Sequence, residues 1–135
     1  MRFVDTNVLL YAISSHEEEV ERAGVARSLL LDRDLALSVQ VLQEFYVQAT
    51  RPTATVRIDH VDAVAFLATL RRYPIQETTV AVVDDALDLR TRWQLNYWDA
   101  AIVAAARALG CTELLTEDLQ HNQDLDGLKV VNPFV

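Results

Sequence analysis

Four acidic residues stand where a charge is costly unless something compensates it: Asp5, Glu44, Asp99 and Asp118. Asp5 follows the apolar pair Phe3–Val4 and precedes a helix-like apolar run from Val8 to Ile13. Glu44 lies in VQVLQEFYVQA, bordering beside Gln48 an apolar stripe of Val41, Leu42, Phe45, Tyr46 and Ala49. Asp99 lies in NYWDAAIVAAARALG, where nearly every later position is apolar. Asp118 follows a leucine pair in LLTED. Each has an ordinary explanation. Asp5 suits a helix N-cap, and Glu44 a boundary position with its stem on the core. Asp99 suits the third residue of a capping box opened by Asn96, and Asp118 a helix start. As a set they suit something else. Carboxylates gathered at one place repel unless a cation holds them. Oxygen ligands without nearby histidine or cysteine match Mg²⁺ or Mn²⁺ rather than zinc. Two such ions can activate water and stabilise the leaving oxygen in phosphodiester cleavage.

The elements around them must bring these acids together. Short apolar runs at Arg2 to Val4, Leu35 to Ser38, Glu113 to Leu115 and Leu128 to Val131 read as buried strands, with a weaker one at Ile75 to Thr78. Helical spacing follows Asp5 and runs from Glu17 to Leu31, with Val20, Ala23 and Leu30 on one side. A third helix follows Ser38, a suitable N-cap, and runs to Thr50 before Arg51–Pro52. Others are expected over Asp59 to Arg72, Val80 to Trp93 and Tyr97 to Leu109, the last stopped by Gly110. Alternating strands and helices with near-continuous apolar strands predict an α/β fold, its parallel sheet covered on both faces. In such a sheet the strand ends that carry Asp5 and Asp118 and the helix start that carries Asp99 share one edge, where ligands bind, and Glu44 sits one turn into another helix.

Length and composition bound the rest. The chain has 135 residues, 51% of them hydrophobic, which suits one domain over 1–135 with a proper core. No apolar run approaches the ~20 residues of a membrane span, and no secretion signal is read at the start. The single cysteine, Cys111, excludes an internal disulfide framework and fits the cytoplasm. Twenty acids against 12 bases give a net charge of −8, which argues against coating nucleic acid by bulk electrostatics. It leaves room for an enzyme that meets a phosphodiester through metal ions.

The motifs FVDTNVLLYA, SVQVLQEFY, YWDAAIVAAA, LLTEDLQ and VVNPF together resemble the PIN-domain family, and within it the VapC-type toxins of toxin–antitoxin pairs. The resemblance spans essentially the whole chain. It implies a PIN-like three-layer α/β fold with a mainly parallel central sheet, and Mg²⁺- or Mn²⁺-dependent hydrolysis of RNA. It also implies that Asp5, Glu44, Asp99 and Asp118 ligate metal, with Asn7 and Thr116 in supporting polar positions. The partners implied are RNA, a small cognate antitoxin and a second copy of the chain. Leu9, Leu10, Ile13 and Val20 suit either such contacts or the chain's own core.

Other features carry less. His16, His60 and His121 lack ligand spacing, and Cys111 reads as a small buried residue. Trp98 suits core packing or the cleft floor, with stacking on an RNA base as the sharper alternative. Glu17–Glu18–Glu19, and Asp84, Asp85 and Asp88 with Arg90 and Arg92, read as solvated helix surface. Eleven of the twelve bases are arginine, suited to bidentate phosphate contacts. A dehalogenase-type phosphatase would place a second acid where Asn7 stands, and a receiver domain would offer a lysine on a late strand-end loop. The one lysine, Lys129, lies inside an apolar run, so both fit poorly. An RNA-processing nuclease outside any toxin pair remains an alternative, as does a non-catalytic module whose acids only cap helices.

Overall fold

The apolar runs become strands because they leave no face for solvent. In the computed structural model, which describes residues 1–135, β1 spans Arg2–Val4, β2 Leu35–Ser38, β3 Ile75–Gln76, β4 Glu113–Leu115, β5 Asp124–Leu125 and β6 Leu128–Val131. They form one six-stranded sheet in the order β3-β2-β1-β4-β6-β5. Every pairing is parallel except β5 with β6. All four residues of β2 are buried, as an interior strand of a parallel sheet requires. β5 is an addition to the expected strands. It forms a hairpin with β6 through Asp126–Gly127, both at positive φ (56° and 93°), the geometry for which Asp–Gly is favoured.

Helices flank the sheet: α1 Thr6–Ala12, α2 Val20–Leu29, α3 Val39–Thr50, α4 His60–Thr69, α5 Val80–Trp93 and α6 Tyr97–Ala108. Their starts are set locally. Ser38, Asp59, Thr79 and Asn96 each accept a backbone N–H three residues on, from Val41, Asp62, Val82 and Asp99. The single helix expected over Glu17 to Leu31 is divided. Glu17–Glu19 is a tight 3₁₀ turn capped by the His16 ring, and α2 begins only at Val20. Of the two places open to Val20 the structure gives the surface, at 66% exposure, while Ala23 and Ala26 form the buried face of α2. The stretch Asp59 to Arg72 likewise ends in a 3₁₀ turn over Leu70–Arg72.

α6 is buried along its whole middle, from Ala100 to Ala106. It packs on α5 and against β2, β3 and β6, and its small side chains permit approach from several sides at once. It ends as expected at Gly110 (φ 73°), where the Gly110 N–H bonds to Arg107 and the Cys111 N–H to Ala106, the Schellman arrangement. With one end fixed by Gly110 and the other by Asn96, the helix has a determined length, and Asp99 lies in its first turn.

The core under α3 is anchored by Phe45, fully buried, whose ring meets Phe66 of α4 at 4.8 Å. Phe45→Ala is expected to cost about 3–5 kcal/mol in denaturant unfolding. Val47→Ala, at a site 61% exposed on the same helix, is expected to stay within about 0.5 kcal/mol. Equal losses at both positions would contradict this packing.

Candidate active site

The strand order turns back at β1. The chain builds β2 and β3 to one side of it, then returns to place β4 and β6 on the other. A crevice opens at the carboxyl ends where the order reverses, and ligands of open α/β sheets bind there. Asp5 follows β1 and Thr116–Glu117–Asp118 follows β4, so both flank this crevice. Register completes the placement. Val4 pairs with Leu115, and the Asp5 N–H bonds to the Leu115 carbonyl at 3.1 Å. The next residues on the two strands are therefore neighbours, and the Thr116 hydroxyl donates to Asp5 Oδ2 at 2.8 Å.

Asp5 is 6% exposed. Its Oδ1 accepts the Thr6 N–H at 2.7 Å, so the expected capping role is present, but on the first helical N–H. Asn7 ties the surroundings together. Its Nδ2 lies 3.0 Å from Thr116 Oγ1, 3.1 Å from Asp118 Oδ2 and 3.4 Å from Asp5 Oδ2. Thr116 Oγ1 also accepts the Asp118 N–H at 3.1 Å. The turn after β4 is thus folded around the same hydroxyl that holds Asp5. Asp118 sits in this turn, which no helix follows; that corrects the helix-start reading of its position.

Glu44 and Asp99 arrive from helices on the other side of the crevice. Glu44 lies in α3, and its Oε1 accepts a 2.6 Å hydrogen bond from Gln40, one turn earlier. Asp99 is held by Asn96 through both ends of one amide: Asn96 Oδ1 takes the Asp99 N–H at 3.0 Å, and Asn96 Nδ2 donates to Asp99 Oδ2 at 2.7 Å. This differs from a full capping box, in which the acid would reach the cap's backbone N–H.

Asp5, Glu44, Asp99 and Asp118 all line one cleft of about 350 Å³, with Asn7 beside them and Thr116 buried behind. Lining a cleft is not convergence on a point. Nowhere are three acidic, histidine or cysteine side chains grouped closely enough to hold one ion together. Mg²⁺ does not require that, because it keeps several waters and is commonly held by one or two carboxylates plus phosphate oxygens. The all-oxygen donor set fits such an ion. The electrostatics agree. Burial, partly offset by the Thr116 and Thr6 hydrogen bonds and reinforced by Asp118 and Glu44, pushes the Asp5 carboxyl up to about 7. Asp99 is raised as well, by burial first and by repulsion from Asp118 and Glu44. A cation offsets each of these costs.

Several residues that line the cleft or hold its acids were not singled out by sequence. Gln40 had a legible signal, the i, i+4 spacing to Glu44. Tyr11, whose hydroxyl donates to Glu117 Oε1 at 2.8 Å, had none, because 106 positions separate the pair. Arg51 is the one basic residue in the lining. Trp98 lines the cleft at 65% exposure, so of the two places expected for it the structure gives the cleft and not the core. The histidines sit elsewhere in structural roles: His16 caps the 3₁₀ turn, the His60 ring pairs with the Tyr46 hydroxyl, and His121 accepts the Asn132 N–H.

Asp5 imposes a pH dependence on stability. Its pKa in the folded protein, about 7, lies above its ordinary 3.8, so the folded state binds the extra proton between those values. Stability from this group is complete below about pH 4 and is lost as pH rises through 7. Asp5→Asn retains the shape without the charge. In metal-free buffer the melting temperature of the variant, relative to the wild type, is expected to climb between pH 4 and pH 8. The change corresponds to on the order of 2–4 kcal/mol. A difference that stays constant with pH would remove burial of charge as the cause.

The family model described as the PIN domain matches residues 2–123. No curated protein sequence matches the chain significantly. Among solved structures, a toxin–antitoxin complex from Klebsiella pneumoniae is similar with a TM-score of 0.74 and 21% identity, covering 98% of each chain. VapC20 of Mycobacterium tuberculosis, a toxin that cleaves the sarcin-ricin loop, gives 0.68 and 21%, covering 87% of this chain and 92% of that one. FitAcB from Neisseria gonorrhoeae gives 0.64 and 18% over 99% of both. At these identities the likeness to solved structures is one of fold, whereas the family match runs through the sequence from β1 to the turn before β5. The chain belongs to the PIN domain family.

Proposed function

We propose that the chain is a Mg²⁺- or Mn²⁺-dependent ribonuclease and the toxin of a toxin–antitoxin pair. The observation that carries this is the cleft lined by Asp5, Glu44, Asp99 and Asp118, acids from four distant stretches of sequence that would repel without a cation. Family membership supports nuclease chemistry, and the fold shared with a toxin that cleaves the sarcin-ricin loop favours RNA as substrate. Similarity to a toxin–antitoxin complex favours a cognate antitoxin as partner, and the motif resemblance of the sequence implies a homodimer in the cytoplasm as the working unit.

In this reading one divalent ion would sit among Asp5, Glu44 and Asp99. It would be held partly through its own waters, because no three of these side chains are grouped closely enough to ligate it directly. Asp118 would serve beside Asp99 if substrate phosphate brings a second. The bound metal supplies activation of water and neutralisation of charge building on phosphate oxygen. The remaining tasks belong to the chain. Thr116 and Asn7 fix Asp5 and Asp118 through the hydrogen bonds described above, Gln40 fixes Glu44, and Asn96 fixes Asp99. Pre-set ligands of this kind lose little freedom when the ion enters. Arg51 is suited to grip a phosphate of the incoming strand through its planar fork. No side chain is needed as a covalent nucleophile.

Purified protein is expected to cleave RNA with Mn²⁺ or Mg²⁺ and to stop in EDTA. Asp99→Asn should remove most activity and His60→Ala should not. Thermal melts of the same proteins separate a metal ligand from a helix cap. Mn²⁺ at ~100 times its dissociation constant should stabilise the wild type by ~2.7 kcal/mol and do much less for Asp99→Asn. In EDTA that variant should melt at or above the wild type, whereas loss of a mere capping acid would cost about 0.5–2 kcal/mol. RNA cleavage undiminished in EDTA would sink the mechanism.

Expression of the chain alone in a bacterium is expected to arrest growth with fragmentation of RNA, relieved by co-expressing a small neighbouring gene product. Unimpaired growth, despite soluble wild-type protein that cuts RNA in vitro, would shift the assignment to an RNA-processing nuclease.

A further inference from the structure

Beside the acidic cleft lies a second cavity of about 250 Å³, and the two share a wall. Trp98 lines both. Gln40 completes the wall: it lines the second cavity while its amide reaches Glu44 in the first at 2.6 Å and the Trp98 carbonyl at 3.2 Å. The chemistry on the two sides differs sharply. The cleft is crowded with carboxylates, whereas Glu77 is the only charged residue lining the second cavity. Its polar groups are amides and hydroxyls, chiefly Gln40, Gln43, Gln76 and Thr78.

Trp98 is out of place as a structural residue. Tryptophan is usually well buried, yet this one is 65% exposed, its indole set edge-on to Tyr97 at 5.1 Å between ring centroids. It is also the chain neighbour of Asp99, so its ring cannot lie far from the acidic centre. An exposed π-face next to a neutral cavity lined by amides offers the two contacts by which proteins hold an unpaired RNA base: stacking, and hydrogen bonds to the base edge. A side-chain amide carries a donor and an acceptor side by side, which matches the mixed edges of nucleobases. A phosphate finds no cation there. Gln40 has its N–H groups committed to Glu44 and Trp98, and Gln76 donates one N–H to the Glu77 carbonyl at 3.0 Å. That leaves acceptor oxygens at both residues and the whole amide of Gln43 for a ligand.

We propose that this second cavity is a nucleobase subsite. A nucleotide next to the scissile phosphate turns its base out of the strand, stacks it on Trp98 and presents its edge to Gln43 and Gln76; the assignment rests on the ribonuclease reading and deepens it. Because Gln40 touches both the subsite and Glu44, a seated base is in physical contact with a residue that orients the acidic centre. Sequence preference and cleavage are then joined through one side chain.

Short single-stranded oligoribonucleotides, cleaved in Mn²⁺ with their ends mapped, test this. The wild type is expected to cut beside a preferred base. Trp98→Ala should raise KM on the order of tenfold, the loss of one stacked base, with kcat changed less. Trp98→Phe should recover much of the loss, and Gln43→Ala combined with Gln76→Ala should broaden the cut sites. A substrate abasic at the flanking position should bind the wild type about as weakly as intact RNA binds Trp98→Ala. Indole emission in a Trp93→Phe background, where Trp98 is the sole tryptophan, gives a readout independent of catalysis. It should be quenched by the intact oligoribonucleotide and not by the abasic one. RNA cleavage with KM and cut sites unchanged in Trp98→Ala overturns the subsite and leaves the ribonuclease standing. Base-dependent quenching in a protein that cuts no RNA supports the subsite and overturns the ribonuclease.

Discussion

The hydrogen bond from Thr116 to Asp5 is the contact on which the site depends. It forms because β1 and β4 pair in parallel with Val4 opposite Leu115, so the first residues beyond the two strands emerge together. A shift of one residue in that register would turn the strands' side chains to the wrong faces and separate the hydroxyl from the carboxylate. Thr116 also holds the following turn through the Asp118 N–H, and Asn7 closes the group from the start of α1. Two chain segments more than a hundred residues apart are thereby locked into one rigid edge of the crevice. Interior strands buried on both faces resist fraying, so this edge stands on the most stable part of the fold.

Opposite it the design is different. Glu44 and Asp99 are carried by helices, and each is oriented by a neighbour on its own element or cap. α6 achieves this at unusual cost to its surface: from Ala100 to Ala106 it has no exposed side chain, so its polar information is concentrated at its two ends. One end is the Gly110 stop, and the other presents Asp99. The crevice therefore joins a sheet-borne half, fixed by backbone register, to a helix-borne half, in which a cap fixes Asp99 and a residue one turn earlier fixes Glu44.

The charge balance gives this arrangement a direction. A chain of net charge −8 repels a polyanion at long range. Within the proposed function, contact with RNA depends on cations in the cleft, on Arg51, and on the neutral surface around Trp98. The raised pKa of Asp5 belongs to the same logic. Burial makes its charged form unfavourable in the protein alone, and a cation placed beside it would favour that form again.

Much of this was legible in the sequence, for reasons that can be named. Uninterrupted apolar runs marked four strands and weakly a fifth, because a strand covered on both faces has no alternative composition. Ser38, Asn96 and Gly110 marked helix ends, because caps act over three or four residues and leave their pattern in the chain. Asp5, Glu44, Asp99 and Asp118 were identifiable as acids at strand ends and helix starts, and strand–helix alternation brings such positions to one edge. Over Glu17 to Leu31 helical spacing alone does not distinguish a 3₁₀ turn from α-helix or tell that Val20 faces solvent. What the tertiary structure alone decided are the relations with no local signature: Val4 opposite Leu115, Tyr11 on Glu117, the turn rather than helix at Asp118, and Trp98 exposed between two cavities. Local patterns are written by interactions between residues a few positions apart. Register, exposure and cavities arise from contacts between segments that the sequence leaves a hundred residues apart, and only packing determines them.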